Sequence, residues 1–215
     1  SCFAWALILT ELYKGEQDNA EAVDGDALYQ TALNFLSGSN GVEKDHIKGM
    51  TSLSQVAEQG NAKAQALLGL FNQTEGDSRE AVKWFIKAAE QGNVDAQVFL
   101  AMNYLSGEGI TTDESEAAKW LQKAAEQGNA VAQYILGTKY YDGEGVSKDT
   151  IEALKYLKAA LQQGPEAFSI FEDVGVFVPD LSSFLPYELV SSKAQLILGG
   201  IYYNGEGVPR ARGEA

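Results

Sequence analysis

The pentapeptide AEQGN occurs three times in the chain, at residues 57–61, 89–93 and 125–129. The second copy follows the first by 32 residues, and the third follows the second by 36. The same offset of 36 joins GEGI at 107–110 to GEGV at 143–146. Recurrence at such a period is typical of a stacked array, in which each unit buries its apolar stripe against its neighbours. The pentapeptide therefore predicts a repeat fold.

One unit of the array, residues 129–164, has the pattern of two helices. The first follows Asn129, a residue type that caps helix N-termini, and Gly143 can take the left-handed conformation that ends it. The second opens at Asp149, with Glu152 three residues later, which is the spacing of a capping box with aspartate in the first position. AEQGN would then contain the end of one second helix, its glycine cap and the asparagine cap of the next unit. The Asp–Glu spacing recurs at Asp77/Glu80 and Asp113/Glu116.

These residues resemble the Sel-one-like repeat (SLR) family, which is related to the tetratricopeptide repeats. The family pattern runs AxxxLGxxYxxGxGV, then a capped helix with an alanine and an aromatic residue, then KAAxQG. The chain has AQYILGTKYYDGEGV at 132–146 and EAAKWLQKAAEQG at 116–128. The resemblance implies an all-α fold: an α-α superhelix, or solenoid, of about five helix-turn-helix repeats, of which the last is truncated.

The repeat register predicts four segments. Residues 1–24 form an N-terminal segment, 25–164 hold repeats one to four, 165–190 form an insertion rich in phenylalanine and proline, and 191–215 begin a fifth repeat. The first repeat is degenerate in its first helix, and the fifth stops one turn into its second helix. We therefore expect the sequence to be a fragment of a longer protein.

The apolar run CFAWALIL at residues 2–9 is too short to span a bilayer. No methionine precedes it, so we expect the chain to begin partway through its gene product. Two interpretations of the run stay open: the tail of a secretory signal, or the buried face of a first helix. The compartment is accordingly undecided between cytoplasmic and periplasmic or secreted, with a slight preference for a bacterial envelope or secreted protein.

Composition argues against several classes of partner and site. The formal net charge is −14, with 16 basic against 30 acidic residues, which disfavours nucleic acid and anionic membranes. Cys2 is the only cysteine and His46 the only histidine, so disulfides, thiolate clusters, His-pair metal sites and His-based triads have no second member. We predict no catalytic, cofactor-binding or metal-binding residue. His46 is expected at the start of a second helix.

A concave binding surface along the first helices is what the resemblance implies, with an extended or helical peptide of a partner as its ligand. Residues one turn away from the core stripe should line that surface. These are Val98, Met102, Leu105, Tyr134, Thr138, Tyr141, Leu196 and Tyr203.

The insertion supplies a second group of candidate partner-binding residues. They are Phe168, Phe171, Phe177 and Phe184. Two interpretations stay open for this segment. Its aromatic side chains could cover the neighbouring helices, or they could form one wall of a ligand groove or a docking element.

The function implied by the resemblance is that of a non-catalytic scaffold or adaptor that binds another protein or peptide on the concave face. Two alternatives remain. The concave aromatics and the candidate signal remnant suggest an envelope-associated protein that binds carbohydrate or peptidoglycan. Cysteine-rich relatives have been linked to β-lactam hydrolysis, but those carry a disulfide in each repeat, which this chain lacks. The oligomeric state is left open.

Overall fold

The computed structural model describes residues 25–164 and 187–205, and in these ranges the chain is helical with no strand. The predicted all-α class is confirmed. Each of the first eight helices is 13 residues long. The helices are α1 (Gly25–Ser37), α2 (His46–Glu58), α3 (Ala62–Thr74), α4 (Ser78–Glu90), α5 (Val94–Ser106), α6 (Glu114–Glu126), α7 (Ala130–Asp142), α8 (Thr150–Gln162) and α9 (Tyr187–Asn204).

The joint between repeats has the predicted chemistry. Gly128 has a φ of +91°, and its N–H donates to the carbonyl of Ala125 at 3.0 Å. The N–H of Asn129 donates to Ala124 at 3.1 Å, and its side chain accepts from the N–H of Ala132 at 2.8 Å. One glycine and one asparagine therefore satisfy backbone groups at the end of one helix and the start of the next. The same pattern recurs at Gly60–Asn61 and Gly92–Asn93.

The second helices are capped by aspartate, but only half of the predicted capping box forms. Asp149 accepts from the N–H of Glu152 at 3.1 Å, as expected. The Glu152 carboxylate binds Lys155 at 2.8 Å instead of reaching back, because the N–H of Asp149 already donates to the carbonyl of Tyr140 at 2.9 Å. The closing half of the box is therefore a wrong prediction. The same exchange occurs at Asp77, Glu80 and Lys83, and at Asp113, Glu116 and Lys119.

Contacts divide the chain into two compact units, residues 1–65 and 66–215. In the described part of the first unit, α1 packs on α2, and Gly49 lets α2 approach Leu36 closely. His46 begins α2 directly after the cap Asp45, as predicted.

In the second unit, each helix from α4 to α8 packs against the helix that follows it. The core of this unit is a single apolar cluster. Its fully buried large side chains include Phe85, Leu100, Leu121, Leu136 and Leu157, at least one from each helix of α4–α8.

Close approach of the two helices in a repeat depends on a small residue in the first one. A Cβ atom on Gly137 of α7 would lie 2.8 Å from Cγ of Leu157 and 3.2 Å from its backbone nitrogen in α8. Gly69 meets Phe85 in the same way. Gly199 occupies the corresponding position of α9, and nothing lies within 4 Å of a Cβ atom there.

Buried glutamines tie α5 and α7 to the second-helix segments on either side. Gln133 is buried, its Nε2 donates to the carbonyl of Ala125 at 3.2 Å, and its Oε1 accepts from Gln163 at 2.7 Å. Gln97 makes the equivalent bonds with Ala89 and Gln127. The glutamine of the pentapeptide thus binds the glutamine near the start of the same repeat. Gln195 holds the corresponding position in α9, but it is exposed, and among the described residues its side chain bonds to Ser191 at 3.2 Å.

We expect Gly137→Ala to lower the free energy of unfolding by about 1–3 kcal/mol, since the added methyl group forces α8 away from α7. Gly199→Ala is the matched control. With open space around it, this change should be neutral or raise stability by up to about 1 kcal/mol, because alanine is the better helix former. Urea unfolding measures both. Equal losses in the two variants would contradict the proposed close contact.

We expect Gln133→Leu to cost about 1–3 kcal/mol, because it leaves a buried carbonyl and the Gln163 amide without their partner. Gln195→Leu is the control at the equivalent exposed position and should change stability by less than about 0.5 kcal/mol. Thermal unfolding followed by circular dichroism measures the difference. If Gln133→Leu proved as mild as Gln195→Leu, the joint would not depend on its glutamines.

Candidate interaction surface

The accessible side of α5 is narrow. Most of the helix is buried, and Asp95, Met102 and Leu105 are half-buried along one stripe at helical spacing. Val98 lies on the same stripe between them and is fully buried. The surface that α5 offers along this stripe therefore consists of Asp95, Met102, Leu105 and the exposed Ser106, of which Met102 and Leu105 were predicted.

In α7, the predicted residues differ in depth. Tyr134 is buried, and burial raises the pKa of its hydroxyl above the ordinary value. Thr138 and Tyr141 are half-buried. The Thr138 hydroxyl donates to the carbonyl of Ile135 at 2.7 Å, and the Lys148 ammonium lies 5.2 Å from the centre of the Tyr141 ring. Tyr141 therefore offers an aromatic surface with a cation already beside it.

In α9, the two predicted residues are well exposed. Leu196 is 77% exposed and Tyr203 is 74% exposed, and they lie seven residues apart on one side of the helix. The opposite side carries Val190, Ala194 and Ile201, which are buried. α9 therefore has one apolar side in the core and two large apolar side chains on its outer side.

The predicted concave-face residues therefore fall into two groups. Val98 and Tyr134 belong to the core and do not line an accessible surface, because the neighbouring helices enclose them. The expected lining of the concave surface is therefore corrected at these two residues. The remaining residues form what we call the first-helix face: Met102, Leu105, Thr138, Tyr141, Leu196 and Tyr203. The predicted insertion residues Phe168, Phe171, Phe177 and Phe184 lie outside the described residues.

Several charged groups of these repeats are paired. Lys139 of α7, whose side chain is 14% exposed, binds Glu144 at 2.8 Å and Glu114 at 3.4 Å. Glu108 accepts a hydrogen bond from Gln73 at 3.3 Å. Asp95 differs: within residues 25–164 and 187–205 its carboxylate has no hydrogen bond or ion pair, and burial raises its pKa.

The described residues contain no group of three or more histidine, cysteine, aspartate or glutamate residues that could hold a metal ion. None of the helices in this part of the chain combines the length and the apolar character of a membrane span.

Family comparison gives matches along most of the chain. The model of the Sel1 repeat matches residues 25–61, 62–93, 94–129, 130–165 and 192–215. The chain belongs to the Sel1 repeat family. The predicted family and the predicted fold class, an all-α solenoid of such repeats, are confirmed. Sel1 repeat proteins are generally scaffolds for protein interactions. A comparison with curated protein sequences gives no match.

Two solved structures are similar to this chain. One is c5321 of uropathogenic Escherichia coli, a protective antigen with an SLR fold, at 28% identity and a TM-score of 0.62. That alignment covers 95% of this chain and 45% of c5321, so the chain spans less than half the length of that relative. The other is a Sel1 repeat protein from Oxalobacter formigenes, at 35% identity and a TM-score of 0.50, covering 55% of this chain and 92% of that one.

The ion pair between Lys139 and Glu144 should make stability depend on pH. The hydrogen bond and the charge of Lys139 hold the pKa of Glu144 below its ordinary value of 4.5. A carboxylate whose pKa is lower in the folded state stabilises the fold above about 4.5, and this contribution disappears as pH falls through the folded-state pKa. Glu144→Gln should therefore lower the melting temperature at pH 7 and have little effect at pH 3.

A pH series of thermal melts checks this expectation. Glu75→Gln, which changes an exposed acid that has no ion pair in the described structure, is the control and should differ little from the unmodified chain at any pH. A melting difference for Glu144→Gln that stayed constant from pH 7 to pH 3 would contradict the assignment of this ion pair.

Proposed function

We propose that this Sel1 repeat chain is a non-catalytic adaptor that holds a segment of a partner protein on the first-helix face. The exposure of Leu196 and Tyr203 is the observation that carries the proposal. A large apolar side chain left in water forgoes about 1.5–3 kcal/mol of burial free energy. Two of them on one side of a helix form an apolar surface that a partner can cover.

The position of this pair in the repeat supports the proposal. Leu196 and Tyr203 correspond in the repeat register to Tyr134 and Tyr141 of α7. Aromatic side chains are enriched among the residues that contribute most to protein interfaces, because they bury much area at little cost in conformational entropy. The first-helix face presents Tyr141 and Tyr203 together with aliphatic neighbours, which suits an apolar or aromatic segment.

The second helices offer a different surface. The other large apolar side chains that are strongly exposed in the described structure are Ile47 and Ile151, each next to the start of a second helix. Elsewhere on these helices, aromatic rings are covered by lysines: Lys87 lies 4.0 Å from the centre of the Trp84 ring, and Lys123 lies 3.7 Å from that of Trp120. Such rings are already partly shielded from water, as Tyr141 is by Lys148. The exposed pair Leu196 and Tyr203 is therefore what favours the first helices as the partner-binding side.

Partner capture should depend on α9. Crosslinking and mass spectrometry would first identify the bound segment, which is then synthesised with a fluorescent label. We expect the double variant Leu196→Ala/Tyr203→Ala to weaken its binding at least tenfold, since both side chains are exposed and their loss removes contact area without opening the core. Fluorescence anisotropy measures the affinity, and circular dichroism confirms an unchanged helix content.

Ile151→Ala is the matched control, because it also removes an exposed aliphatic side chain but from a second helix. It should leave the affinity within twofold. Equal affinity of the double variant and the unmodified chain would refute the proposed face. Soluble peptidoglycan fragments serve as a competing probe: binding of these fragments in place of the peptide, with the same dependence on Tyr203, would favour the carbohydrate alternative.

A further inference from the structure

We infer that Asp95 gives the first-helix face a preference for a partner segment that carries a lysine or arginine, whose cationic group pairs with the Asp95 carboxylate. This inference rests on the proposed function, because it names the chemistry of a ligand on the same face.

Asp95 lies at the edge of the face. It is in the first turn of α5, on the stripe that continues through Met102 and Leu105, and it is half-buried. Seven residues of helix separate Asp95 from Met102, which is about 10 Å along the axis. The aliphatic stem of a lysine or arginine laid along this stripe would contact apolar surface while its charged end reaches the carboxylate.

The cap of α5 does not need an acid at this position, and the favourable interaction of a first-turn carboxylate with the helix dipole is the one structural contribution Asp95 makes in the described chain. The N-terminus of α5 is already capped by Asn93, whose side chain accepts from the N–H of Ala96 at 2.9 Å. The repeat register places Lys63, Val131 and Lys193 at the positions equivalent to Asp95. A cation or an apolar residue therefore serves the repeat equally well, and the aspartate is particular to this repeat.

The carboxylate also has an unfavourable environment in the free chain. Burial removes water from it and raises its pKa, and within the described structure no donor replaces that water. A partly desolvated carboxylate without a partner is destabilising, and a cation that arrives with a ligand recovers part of that loss through a charge-assisted hydrogen bond. In the complex the carboxylate therefore gains a hydrogen-bond donor that the described part of the free chain does not provide.

The charges along the first helices are mixed. Lys139 is held by Glu144 and Glu114, and Lys148 lies over the Tyr141 ring. Lys193 is an exposed cation one turn from Leu196 on α9, so a basic ligand group is favoured at the α5 end of the face, beside Asp95. The net charge of −14 attracts cationic segments at long range and repels acidic ones.

A positional-scanning peptide array tests the inference. Each probe is a fluorescein-labelled 12-residue peptide in which one position is fixed as lysine, arginine, glutamine or glutamate and the other positions are degenerate. We expect the unmodified chain to retain peptides with lysine or arginine at one or more positions at least fivefold more strongly than those with glutamine. Asp95→Asn should reduce this preference to less than twofold.

Two further variants copy residues that the repeat already accepts at this position. Asp95→Lys copies Lys63 and Lys193 and should shift the preference to glutamate, and Asp95→Val copies Val131 and should abolish any preference for charge. Glu90→Gln removes an exposed acid from α4, a second helix, and should leave the preference unchanged. Thermal melts show whether each variant is folded.

The outcomes separate the two proposals. Retention that depends on Leu196 and Tyr203, with a basic preference that Asp95→Asn leaves intact, would overturn the role of Asp95 and keep the face. Retention without any preference for basic peptides would also overturn the role of Asp95 and keep the face. If no peptide is retained, or if retention is the same in the Leu196→Ala/Tyr203→Ala variant, the face itself is refuted and the inference falls with it.

Discussion

The turn between successive repeats is the constraint on which the rest of the structure depends. A second helix must stop, reverse and be followed after three residues by a first helix, with backbone groups at both ends satisfied. Gly128 supplies the left-handed conformation that ends α6, and Asn129 caps α7. Because both residues are fixed by the geometry of the same short turn, the pair recurs wherever one described repeat passes to the next. The positions of the apolar stripes follow from it.

Local chemistry of this kind was predictable from the sequence, and the interactions across helices were less so. Asn129, Asp149 and Gly143 cap helices by contacts within one turn of the chain, so their residue types predict their roles. The role of Glu152 was misjudged because the Asp149 N–H is used by the preceding helix, a contact that spacing along the chain does not reveal. The one available signal for the buried glutamines was the recurrence of Ala-Gln near the start of α3, α5, α7 and within α9.

The burial of the predicted face residues was the other feature that the sequence did not predict. Val98, Tyr134 and Leu196 occupy one position of the repeat, yet the first two are buried and the third is exposed. Helical periodicity gives the direction in which a side chain points relative to its own helix, but it does not show which neighbouring residues cover that side chain. In α5 and α7 the neighbouring helices enclose this position, whereas in α9 Leu196 extends into solvent. Gly199 of the same helix also has open space around it.

In a repeat protein, different positions therefore serve folding and partner recognition. Residues that recur, such as the joint glycine and asparagine, are required by geometry in every unit and carry no information about a partner. Residues that differ at an equivalent position are released from that requirement, and a difference in charge there is where a preference for a partner can be encoded. Asp95 stands where other repeats have lysine or valine, and it is half-buried without a partner in the described chain. In a fold whose backbone is so uniform, recognition has to reside in such departures.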